Sequence, residues 1–138
     1  MKKFKKFLLL GGILLSLLLS CLPSSAQVIR FNTTSYTSNV LRGGRWSGWR
    51  EPVSSDMLLT IDLDLGIVTI YSPKTQVYRL LEYEGMRTDR DGDTTMSFLV
   101  VDQDGDRGGL RLMERRNGRN EVYIDFADVH WCYSVIRL

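Results

Sequence analysis

From Val28 onward, short runs of alternating apolar and polar residues are separated by turn residues, the period-two signature of strands with one buried face. Met57 to Leu65 is the clearest run. Met57, Leu59, Ile61, Leu63 and Leu65 face one way, and Leu58, Thr60, Asp62 and Asp64 face the other. A turn near Asp64-Leu65-Gly66 leads into the β-branched segment 67–72, and Pro73-Lys74-Thr75 turns the chain again into 77–84. Leu110 to Arg115 reads as a strand. Asn117-Gly118 then reads as a two-residue hairpin turn, since both residues tolerate positive φ. Val122, Ile124 and Phe126 share one face; Val129, Trp131, Tyr133 and Val135 share the next. That change of parity predicts a bulge or break near Ala127-Asp128.

Val28 to Thr34 alternates as either a first strand or an ordered N-terminal arm, and the Ser-, Thr-, Asn- and Gly-rich stretch 32–45 reads as loop. From Gln27 on, no eleven-residue window shows helical periodicity. Seven or eight short strands joined by tight turns predict an all-β antiparallel meander. Closing it into a small, wholly or partly closed barrel of calycin-like form removes exposed edges, so a barrel is expected over a sandwich.

The N-terminus changes the electrostatic picture. Lys2, Lys3, Lys5 and Lys6 precede an apolar run from Phe7 to Leu22, and Ser24 and Ala26 form a small-x-small site. Residues 1–26 thus read as an export signal cut before Gln27, shorter than the ~20 apolar residues of a spanning helix. Leu18-Leu19-Ser20-Cys21 also resembles a bacterial lipobox, which implies lipidation at Cys21 and membrane tethering as the alternative processing route. Removing the leader takes four of the 18 basic residues and none of the 16 acidic ones, turning a formal charge of +2 into −2. Nucleic-acid binding through bulk charge loses its support. Cut before Gln27, the chain keeps Cys132 alone, so its single β domain, 27–138, rests on a packed core with no internal disulfide.

The densest chemical signal is acidic. Asp89, Asp91 and Asp93 recur thirteen residues later as Asp102, Asp104 and Asp106. Both segments supply carboxylates at positions 1, 3 and 5 of an EF-hand loop. Position 12, which needs a bidentate acid, is Val100 or Met113, and position 6, which needs Gly, is Thr94 or Arg107. EF-hand geometry fails. The residues read instead as hairpin turns whose Asp side chains cap their own backbones, with a weak Ca²⁺ site at one of them as the alternative. An extended segment 94–101 would hold the turns nearly 30 Å apart, so they do not share an ion.

Trp46 and Trp49, with Arg42, Arg45 and Arg50, form a candidate ligand platform: aromatic planes stack on sugars and arginines hold carboxylates or sulfates. On a regular strand, residues three apart point to opposite faces, which sends one Trp inward. Gly44-Arg45-Trp46 resembles the G-x-W signature of lipocalins, and that resemblance implies a barrel with a hydrophobic-ligand cavity. Asp128, His130 and Cys132 alternate on one face, too far apart for a Cys/His dyad, and read as a surface strand. Arg115, Arg116 and Arg119 gather at one hairpin tip. They read as a solvated turn paired with Glu114, Glu121 and Asp125, or as forks for an anionic partner. No phosphate loop or nucleophile elbow is present, and no cofactor is implied. The expectation is a small exported bacterial β-domain that acts by binding a ligand or envelope partner, not by catalysis. A structural or inhibitory interaction module is the alternative.

Overall fold

Alternation along the longer strands gives their hairpins one apolar face, and a chain of such hairpins buries those faces by rolling up. The computed structural model describes residues 28–138; the leader 1–26 and Cys21 lie outside the described residues. Ten strands follow one another: β1 (Val28–Arg42), β2 (Arg45–Trp46), β3 (Val53–Ser54), β4 (Leu58–Asp62), β5 (Ile67–Ile70), β6 (Gln76–Thr88), β7 (Thr94–Val101), β8 (Arg107–Glu114), β9 (Asn120–Asp125) and β10 (Val129–Arg137). Eight of them, β1 and β4 to β10, run as an antiparallel meander. The meander closes into a barrel where β10 pairs with β1, from Phe31 opposite Arg137 to Val40 opposite Val129. The short strands β2 and β3 attach to the free side of β1.

Eight strands leave an interior just wide enough for side chains to fill. Leu59, Val68, Ile70, Val100, Leu110, Val122 and Ile124 are fully buried there, and Phe31, Phe98, Tyr78 and Tyr133 are buried in the same cluster. Each such side chain stabilises the fold by about 1.5–3 kcal/mol.

Segment 32–42 is strand, not loop. Its polar composition misleads because two neighbours fix it: β10 on one side and, on the other, β4 followed by β3. A bulge at Thr34, between Thr33 and Ser35, shifts the inward parity from Ile29, Phe31 and Thr33 to Tyr36 and Ser38. Thr33 is wholly buried, and its Oγ1 accepts bonds from Ser55 Oγ and the Met57 amide, each at 2.9 Å.

Three hairpin ends share one design. Asp89–Asp93, Asp102–Asp106 and Arg115–Arg119 each close through paired backbone bonds around three loop residues. The third loop residue is a glycine with positive φ (84°, 87° and 85° at Gly92, Gly105 and Gly118), as a type I turn with a glycine bulge requires. Asn117-Gly118 therefore belongs to a three-residue loop, not a two-residue one. Near Ala127-Asp128 the parity change is itself a hairpin turn, closed by the Phe126 amide on the Val129 carbonyl at 2.8 Å.

Candidate functional site

After Arg42 the chain reverses through Gly43-Gly44, so that Arg45 faces Arg42 and Trp46 faces Leu41. Residues 47–56 then return along β1: the Ser47 amide bonds the Val40 carbonyl at 2.8 Å, and the Arg50 amide bonds the Ser38 carbonyl at 3.0 Å. This return strand is irregular. Gly48, at φ 79°, breaks alternation between the two tryptophans. Neither Trp enters the core, which corrects the expectation that one would: Trp46 is 41% exposed and Trp49 48%.

Both lie against the outer face of the barrel. Trp46 stacks on His130 of β10, with ring centroids 4.2 Å apart and planes inclined at 22°. Trp49 meets Tyr123 of β9 edge-on at 6.1 Å. Between β1 and β8, Thr37, Cys132, Tyr123 and Arg111 form one row across four strands. Reaching Tyr123 from beyond β1 takes Trp49 over Cys132, whose outward-facing side chain is nevertheless buried. The Arg111 guanidinium sits 4.4 Å from the Tyr123 ring centroid and pairs with Asp125 at 3.0 Å. Arg45 and Arg50 are exposed beside the tryptophans and make no ion pair among the described residues. The turn Gly44-Arg45-Trp46 lies outside the barrel and does not line its interior, which is where the G-x-W resemblance implied a cavity.

Beneath the aromatic strap runs a polar chain. Tyr123 donates its hydroxyl to Glu121 at 3.1 Å, the Cys132 thiol donates to the same carboxylate oxygen at 3.6 Å, and Arg115 Nε donates to the other. Arg115 also reaches Asp93 at 3.2 Å, across from the β6–β7 hairpin. Burial alone would raise the Glu121 carboxyl. The Arg115 guanidinium, helped by Tyr123 and Cys132, outweighs it and holds Glu121 below the ordinary range. The Cys132 thiol moves the other way, pushed up to about 11 chiefly by burial, so it stays protonated at neutral pH. Its neighbour on the same face, His130, is occupied by Trp46, and Asp128 lies in the turn before β10.

The acidic loops face their own amides. Asp89 Oδ1 accepts from Asp91 at 2.9 Å and Asp93 at 3.0 Å; Asp102 Oδ1 accepts from Asp104 at 2.9 Å and Asp106 at 2.8 Å. The twins differ at the fifth residue. Asp93 takes the Arg116 amide at 2.8 Å and the Arg115 guanidinium, which hold its carboxyl low, whereas Asp106 is exposed and has no ion pair among the described residues. Among the described residues, no three His, Cys, Asp or Glu side chains converge as metal ligands.

No family model matches the chain, and neither does any curated protein. The site is therefore read from its own chemistry. Trp46, Trp49, Arg45 and Arg50, grouped in the sequence as a ligand platform, all lie exposed on the return segment after Gly44. Sequence reasoning missed His130 and Tyr123 as their supports, since those contacts cross the barrel seam. Asp93 as a partner of Arg115 left no local signal, because it comes from a different hairpin 22 residues away.

Proposed function

We propose that this protein is an exported binding module whose recognition surface is the outer aromatic strap, Trp46 and Trp49 flanked by Arg45 and Arg50. The ligand class that suits it is a glycan carrying acidic groups: ring faces for the indoles, carboxylates or sulfates for the guanidinia. One observation carries the reading. Two tryptophans stay half exposed on one face while His130 and Tyr123 hold them in place, although a fully buried aromatic of that size would add stability. Export rests on the leader 1–26 and puts the module at the bacterial envelope or outside the cell. Action by binding, without catalysis, accords with a protonated Cys132 and a His130 already stacked. Titration of intrinsic fluorescence against neutral and acidic oligosaccharides tests the reading. Saturable quenching by an acidic member, lost in Trp46→Ala and Trp49→Ala, is the expected result; a panel that leaves the emission unchanged sinks it.

A second reading, a module that pairs with a partner's strand, has one observation in its favour. β6 outruns β5: only Gln76–Arg79 pair with it, while β6 continues along β7 to Thr88. Two bulges, between Leu80 and Glu82 and between Tyr83 and Gly85, blunt that edge, which is why the strap is preferred. Envelope partners captured by the wild type but not by a Glu82→Pro variant would favour the strand.

A further inference from the structure

At the end of β9 and β10 away from the tryptophans, an open groove of about 1100 Å³ runs between the β8–β9 hairpin tip and the C-terminal end of β10. Four guanidinia line it, Arg115, Arg116, Arg119 and Arg137, against two carboxylates, Asp93 and Glu121. Both carboxylates are spent. Glu121 is held by Arg115 and Tyr123, and Asp93 by Arg115 and the Arg116 amide. Arg116, Arg119 and Arg137 make no ion pair among the described residues, so the groove carries a local surplus of two positive charges on a domain of net negative charge.

The groove is also built. Asp93 clamps the β8–β9 tip to the neighbouring hairpin, and Asn117 Oδ1 accepts the Arg119 amide at 3.0 Å, so the loop backbone bearing two of the arginines is fixed. Its far wall includes Thr34, the bulged residue of β1, whose hydroxyl donates to the Ser134 carbonyl at 3.3 Å. Bulges at barrel rims recur beside binding sites because they spread the strands and redirect side chains. Arginine forks bind phosphate and sulfate oxygens through paired N–H donors, and Arg116, Arg119 and Arg137, none of them in an ion pair among the described residues, line the same concavity.

We propose that this groove binds an oxyanion, the phosphate or sulfate group of a larger ligand, through Arg116, Arg119 and Arg137. It does so independently of the aromatic strap. Calorimetric titration of the exported protein with sodium phosphate and sodium sulfate, each at constant ionic strength set by chloride, tests it. One saturable site is expected. Arg119→Ala combined with Arg137→Ala weakens it by at least about tenfold while the melting temperature stays within a degree or two, since both side chains lie at the surface. Trp46→Ala with Trp49→Ala leaves it unchanged, which separates this site from the proposed glycan surface. Vesicles of phosphatidylglycerol, compared with phosphatidylcholine, identify the source: selective binding to the former assigns the oxyanion to a lipid headgroup, and phosphate binding without it assigns a soluble ester. The proposal is overturned by heats no larger than those of chloride together with no vesicle preference. Equal affinity in the folded double arginine variant overturns it as well.

Discussion

β9 and β10 present two faces with opposite chemistry one residue apart. Inward, Val122, Ile124, Tyr133 and Val135 are buried in the common core. Outward, Glu121, Tyr123, His130 and Cys132 carry an acid, a phenol, an imidazole and a thiol, and two tryptophans from the return of β1 pack on His130 and Tyr123. A closed meander needs only the first set to fold. The second set adds half-exposed aromatics and a part-buried ion pair, neither of which contributes much to barrel stability. Its place over the seam where the barrel closes is what the proposed recognition surface outside the barrel rests on.

The comparison is broken most severely from the inside. Ile124→Ala leaves a cavity beneath the strap and costs about 2–5 kcal/mol, read as a fall in the urea midpoint at unchanged slope. A smaller effect separates the acidic twins. Asp102→Ala removes two amide bonds and costs about 1–2 kcal/mol. Asp89→Ala costs more, because it also dislodges Asp93 from Arg115 and Arg116; equal losses would show that the Arg115 tie adds nothing.

Acid sharpens the outer face further. Glu121 and Asp93 have folded pKa values below their ordinary ones, so their contribution is present above the ordinary carboxylate range, about 4–4.5, and is lost as pH falls through the depressed values. Glu121→Gln flattens the acid limb of a stability-versus-pH profile. An acid limb identical to wild type contradicts the network. The smallest stability change, under about 1 kcal/mol, is expected for Trp49→Ala, a half-exposed side chain. Its effect appears elsewhere: Cys132 loses its cover, and maleimide labelling of the folded protein accelerates several-fold.

Much of the fold was legible from alternation and turn residues, since Leu59, Ile61, Val122 and Ile124 are buried as their parity predicts. The later part of β1 was not, because Ser, Thr and Asn at 32–39 are held in strand by β10, nearly a hundred residues away, and by Thr33 bonds to Ser55 and Met57. The candidate site was legible as a segment but not as a surface. Trp46 and Trp49 share a side only because Gly48 takes a positive φ, and a glycine's choice of φ is invisible in its identity. The arginine tip was seen, with Glu121 as partner. Its link to Asp93 depends on two hairpins lying side by side.

The chain holds its own control for the central claim. Trp46 and Trp49 lie outside the barrel, while Trp131 packs against the core beside Tyr36 and Tyr133. Indole N–H resonances of ¹⁵N-labelled protein, followed during titration with acidic oligosaccharides, report the three separately. Recognition on the outer face predicts that the Trp46 and Trp49 signals move together while Trp131 stays. Movement of Trp131 with the outer pair unmoved would place the ligand in the barrel and contradict it.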